Sequence, residues 1–158
     1  LSLTNRTQYR DLKRSFLSAV PLGIGVMASV DEIIFHQLLA WHHFFDWGTP
    51  AYGLFSDGLL HSAELIAFVA GAFMMLNLIR DQSLCRLSAW SGFFTGLGGF
   101  QIFDGIVDHK LLRLHQIRYV DDLLTYDLVW NGAGLLMLLA GWLLYRRARR
   151  TEGTPWRR

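Results

Sequence analysis

His36 and His42 stand five and eleven positions after Asp31, and His109 and His115 stand at the same distances after Asp104. A Gly-x-Gly precedes each set, so both stretches read G-[IL]-G-x5-D-x-I-[IV]-x-H-x-L-L-x2-H, 73 positions apart. An apolar stretch can recur by chance because few residue types make one. An aspartate and two histidines at matched spacing inside it would rarely do so. Imidazole and carboxylate together suit Zn²⁺, Fe or Cu²⁺, and no thiolate lies nearby to favour an Fe–S cluster or a Cu⁺ site. The chemistry these residues offer is therefore a metal site to which both halves of the chain contribute.

The candidate ligands are His36, His61, His109, Asp57, Asp104, Asp127, Asp31, Glu64, His43 and His115. Asp57-x3-His61, His61-x2-Glu64 and Glu32-x3-His36 put partners on one helical face. Asp31 to His36 and Asp104 to His109 are five apart, about 140° round an ideal helix. That spacing requires a wide site, a local distortion of the helix, or separate jobs for the two residues, such as ligand and orienting acceptor. His42, His43 and His115 also read as interfacial residues facing water. Asp108 reads as a surface partner of Lys110 or Arg113, and Met27, Met74, Met75 and Met137 read as packing.

Four apolar stretches must carry these residues, at about 16–35, 59–78, 87–107 and 123–145. Each is near the roughly 20 residues a helix needs to cross a bilayer. Trp41, Trp47, Trp90 and Trp142 fall near stretch ends, where an interfacial belt would hold them. Carboxylates inside such stretches are costly unless paired, solvated or coordinated, which makes them functional candidates. Of the 15 Lys and Arg, 12 lie in the first 14 residues, at Arg80 and Arg86, or from Arg146 onward. With four crossings these places share one side, and the positive-inside rule makes it the cytoplasm. The basic ends are topology signals and weak evidence for nucleic acid. Cys85 is the only cysteine, so no internal disulfide can form. A polar start ahead of a carboxylate-bearing apolar stretch argues against a cleavable leader.

A fainter repeat relates the second helices at an offset of 70: Asp57 matches Asp127, Leu65 matches Leu135, and Ala70-Gly71 matches Ala140-Gly141. The expected architecture is all-α: a four-transmembrane-helix bundle of two tandem two-helix repeats related by a pseudo-twofold axis along the membrane normal, with both termini cytoplasmic. Its parts are a basic arm (1–15), the repeats (16–80 and 86–146) and a basic tail (147–158). Gly23, Gly25, Ser29, Ala63, Ala67, Gly71, Gly92 and Gly96 have close-packing spacings. Lys110 to Arg118 has the period of an interfacial amphipathic helix, so helix three is expected to continue past the membrane. Counting rise per residue gives an outer layer of His36, Asp57, His109 and Asp127, and an inner one of Asp31, His61 and Asp104, with Glu64 further in.

The runs Asp31-Glu-Ile-Ile-Phe-His-Gln-Leu-Leu-Ala-Trp-His-His43, Asp57-Gly-Leu-Leu-His61 and Asp104-Gly-Ile-Val-Asp-His-Lys-Leu-Leu-Arg-Leu-His115 resemble a bacterial family of small four-helix membrane proteins known as predicted membrane proteins of unknown function. In that family glycine usually follows the first Asp, where this chain has Glu32, and a second His commonly follows the one matched by His115, where this chain has Gln116. The resemblance implies the fold and a bacterial inner-membrane location, and leaves the chemistry to the residues. These point to a metal-binding membrane protein holding one or two zinc, copper or iron ions near the extracytoplasmic face. It would be a small metalloenzyme, or a metal-handling or accessory subunit working with other membrane subunits or with copies of itself. Two alternatives compete: a haem subunit with His36 and His109 as axial ligands, and a metal-free accessory or proton-handling subunit.

Overall fold

The computed structural model describes residues 11–152, and the structure there is helical. Helix α1 (Leu12–Asp31) starts at Asp11, whose side chain accepts from the Arg14 N–H, and runs directly into a π-helical segment, Glu32–Leu38. After a loop, α2 (Pro50–Arg80) opens with Pro50 in its first turn, where a missing N–H costs nothing. A tight turn leads to α3 (Arg86–Phe103), which also ends in a π-helical segment, Asp104–Leu111. A second loop precedes α4 (Leu123–Glu152). Most of the expected basic arm, and residues 153–158 of the tail, lie outside the described residues.

Helices α1 and α3 form a central pair, with α2 packed on the outside of α1 and α4 on the outside of α3. Glycines allow the central crossing. A Cβ on Gly23 would sit 2.1 Å from the Phe93 carbonyl oxygen, and one on Gly96 would sit 2.2 Å from that of Val20. Close backbone approach is how helices without a hydrophobic drive between them gain packing energy. The outer pairs match: Gly25 meets α2 at the Glu64 carbonyl, and Gly98 meets α4 at the Gly134 carbonyl.

Three helices are long and apolar enough to cross a membrane: Leu12–Leu38, Pro50–Arg80 and Leu123–Thr151. Their outer faces carry exposed apolar residues, among them Phe55, Ile66 and Phe73 on α2 and Leu124, Val129 and Leu136 on α4. Helix α3 is the glycine-rich inner member; it buries Ser88, Ser91, Gly92, Gly96, Gly98 and Gln101. The start of α1 meets the α2–α3 turn through the Asp11 N–H to the Ser83 carbonyl and the Cys85 N–H to Ser15 Oγ. Phe16 meets Tyr145 near the end of α4. Lys13, Arg80, Arg86 and Arg146 thus gather at one end of the molecule, opposite the π segments.

Helix three does not continue to Arg118 as its period implied. The π segment ends at Leu111, and Arg113 takes a left-handed φ of 53°. The Leu112 N–H bonds to the Val107 carbonyl and the Leu114 N–H to that of Asp108, so the chain turns back on itself. Ala40, with φ 47°, does the same after the first π segment, where Leu39 bonds to Ile34 and Trp41 to Phe35. Left-handed backbone capping a helix is a known termination device, usually given to glycine. Here two non-glycine residues 73 positions apart adopt it.

Candidate metal centre

The π segments resolve the five-residue spacing. Hydrogen bonds from i to i+5 widen the turn by one residue, so side chains five apart lie one above the other. His36 Nε2 comes within 3.6 Å of Asp31 Oδ2, and His109 Nε2 within 3.2 Å of Asp104 Oδ2. Both rings are buried, at 2% and 1% exposure. Such π turns are frequent at functional sites, where they aim a side chain that an α-helix would turn elsewhere.

The reversals at Ala40 and Arg113 then return His42 and His115 to the interior. Their rings stack face to face, with centroids 4.5 Å apart and planes 12° from parallel. Each is oriented by the other half's loop: His42 Nδ1 lies 3.0 Å from the Ile117 carbonyl oxygen, and His115 Nδ1 lies 3.0 Å from that of Phe44. A carbonyl only accepts, so both Nδ1 atoms carry the proton and neither Nε2 does; Nε2 of His42 has no hydrogen-bond partner, whereas that of His115 accepts from His109 Nε2. Burial and the facing imidazoles His115, His36 and His109 push the His42 ring down to about 2, so it stays neutral. His115 Nε2 lies 2.9 Å from His109 Nε2 and 3.5 Å from Asp104 Oδ1.

Two groups of three at this centre bring donor atoms within 4.8 Å of one another: His36, His42 and His115, and Asp104, His109 and His115. Buried atoms there that make no hydrogen bond include Nε2 of His36 and of His42 and Oδ2 of Asp104. Buried polar atoms are nearly always partnered, so bare nitrogens collected in one place fit a cation. The donor set, imidazole with carboxylate, is that of zinc, iron and copper sites. A cavity of about 960 Å³, lined by Trp41, His42, His43, His109, Arg113 and His115 among others, reaches these rings.

A third group lies in the first half only: Glu32, His36 and Asp57. His36 Nδ1 is 2.8 Å from Glu32 Oε2 and 3.2 Å from Asp57 Oδ1. Asp57, near the start of α2, also takes the Phe44 N–H at 2.7 Å and stands 2.6 Å from His43 Nδ1, which ties the 39–49 loop to the helix. Gly53 leaves room for the His43 ring, which a Cβ there would meet at 2.5 Å.

The structure thus brings together His36, His109, His115, Asp31 and Asp104, with Asp57 and His43 beside them. It also brings in His42, a second ligand candidate that the sequence could equally assign to water. Its signal was the match to His115 in the repeat. Three expected residues stand apart. His61 is half exposed and pairs with Glu64, at 2.5 Å. Glu64 is itself buried but joins none of the donor groups. Asp127 pairs with Lys110 at 2.6 Å. Asp108 does not face solvent beside Lys110 or Arg113; it is 5% exposed.

Searches of the curated proteins and of the solved structures return no match. The sequence pattern of one family covers residues 18–148, nearly the whole described chain, as the Asp-His motifs implied. The chain belongs to the family described as "Predicted membrane protein (DUF2243)".

Proposed function

We propose that this protein is a transition-metal protein of the bacterial inner membrane. Each half supplies an Asp-x4-His-x5-His unit, Asp31, His36 and His42 from one and Asp104, His109 and His115 from the other, to a centre near the extracytoplasmic face. The observation that carries this reading is the crossed pair of carbonyl bonds on His42 and His115. They set the tautomer that leaves Nε2 unprotonated, the usual preparation of a metal-binding imidazole by its outer partner. Zinc, copper and iron all suit the donors.

In the same reading the chain crosses the bilayer four times, with α3 as the shielded fourth span and both termini cytoplasmic. Two tandem repeats are related by a pseudo-twofold axis along the membrane normal. The matched π segments, the matched left-handed residues and the reciprocal Gly23–Gly96 contact support the repeat. The gathering of Lys13, Arg80, Arg86 and Arg146 at the end opposite the histidines supports the orientation. The cavity gives water, a small molecule or a donor protein access to the imidazoles, as a metalloenzyme or a metal-handling subunit of a larger assembly needs.

A haem between His36 and His109 is disfavoured, because the stacked rings of His42 and His115 fill that space: His36 is 4.5 Å from His42, and His109 is 4.6 Å from His115. The test is metal analysis of the protein purified in detergent, beside His36→Ala and His109→Ala. Stoichiometric metal in the wild type, reduced in both variants, is expected. Metal-free wild type that takes up no added Zn²⁺, Cu²⁺ or Fe²⁺ overturns the reading.

A further inference from the structure

The two halves differ where their carboxylates are balanced. In the second half Asp127 has a fixed cation, the Lys110 ammonium at 2.6 Å. The position matching Lys110 in the first half is Gln37, which gives only an amide N–H to Glu32 Oε1 at 2.8 Å. The first half also has an extra acid: Glu32 stands where the second half has Gly105. Glu32 and Asp57 are both buried, at 3% and 2% exposure. Among the described residues their side-chain partners are the imidazoles of His36 and His43 and the Gln37 amide.

One proton cannot satisfy this arrangement. The single Nδ1–H of His36 faces Glu32 Oε2 at 2.8 Å and Asp57 Oδ1 at 3.2 Å, and Glu32 Oε2 is left without a hydrogen bond. Two buried carboxylates around one ring nitrogen call for a further positive charge, a second proton or a metal ion, since an uncompensated buried acid is expensive.

We propose that Glu32, Asp57 and the Nδ1 edge of His36 hold a second divalent ion, distinct from the one at the central imidazoles, in the place that Lys110 fills in the other half. The proposal rests on the central metal reading. The site is richer in carboxylate than the centre and favours Zn²⁺, Mn²⁺ or Fe²⁺ over a softer ion. His43, 2.6 Å from Asp57 Oδ2, orients that carboxylate. With both ions bound, His36 serves one through each nitrogen as an imidazolate, and its last ring proton passes to solvent.

Metal-stripped full-length protein in detergent, loaded with Zn²⁺ alone and freed of excess, is assayed for ions per chain. Two are expected in the wild type. Gln37→Lys, which copies the second half at an exposed position, and Glu32→Gln should each hold one; monodispersity and far-ultraviolet circular dichroism check that both are folded. One ion in the wild type and in both variants overturns this inference and leaves the central centre standing. Two ions in the wild type and in both folded variants also overturn it, because the second ion then lies elsewhere. No Zn²⁺ on the wild type overturns this inference, and uptake of Cu²⁺ or Fe²⁺ then decides the central reading.

Discussion

Residues 31–57 and 104–127 share one backbone frame and furnish it differently. In each, a π segment, a left-handed residue and a returning histidine follow the aspartate in the same order. Around the second half the frame is sealed by packing. Trp130, 6% exposed, lies edge-on to Phe35 and packs with Met27 and Ile117, and Gly105 lets Asn131 and Trp130 close on the chain. Around the first half, Glu32, His43 and Asp57 occupy the corresponding shell with polar groups. The shared part is what orients Asp-His-His, and the unshared part sets charge. Two stretches of one chain can thus share a core geometry while one is closed by apolar packing and the other by polar, ligand-like groups.

The largest effect should come where the halves are equivalent. Gly23→Ala and Gly96→Ala each drive a methyl into backbone that cannot move aside, at 2.1 and 2.2 Å. Each should cost more than the ~1–3 kcal/mol usual for overpacking. Thermal unfolding and size-exclusion profiles in detergent should degrade alike for both, and a large disparity would break the equivalence. Next come the returning histidines. His115 belongs to two donor groups and His42 to one. Both alanine variants should lose at least the roughly 10–100-fold in metal affinity that removal of an orienting partner costs. Competition with a chelator should find His115→Ala the weaker binder.

Lys110→Gln gives the second half the residue of the first. The pair it removes is partly solvated, with Lys110 36% and Asp127 18% exposed, so the cost should be about 0.2–1 kcal/mol by thermal shift. Central metal content should not change. The smallest effect is a gain. Ala40→Gly relieves a left-handed alanine and should stabilise the protein by up to about 1 kcal/mol, since the conformation costs an L-residue roughly that much. A loss of stability there would mean that the Ala40 methyl does work in packing that its φ conceals.

Much of the centre was legible because the matched spacing of two motifs exposed it. Matching Asp31, His36 and His42 to Asp104, His109 and His115 needs only spacing. The five-residue interval admitted a distorted helix beside a wide site or separate jobs, without choosing among them. What escaped is what backbone hydrogen bonds decide. The apolar period of residues 110–118 runs on smoothly, so the reversal at Arg113 left no mark in composition, and the inward return of His42 was hidden with it. Asp127 was ranked by depth and by its match to Asp57, and neither says that Lys110 reaches it first. Helix α3 reads as apolar, yet its glycines and serines face neighbouring helices, so it falls outside the helices that qualify as spans by length and composition.

The crossed carbonyl bonds have one more consequence. A chain divided between Arg80 and Arg86 would leave each fragment with its own Asp-x4-His-x5-His unit, but with the wrong loop to steer its last ring: His42 takes its direction from Ile117, and His115 from Phe44. Neither fragment could set its own ring. The competence of this site therefore belongs to the partnership of the halves, and it should return only when the two are mixed.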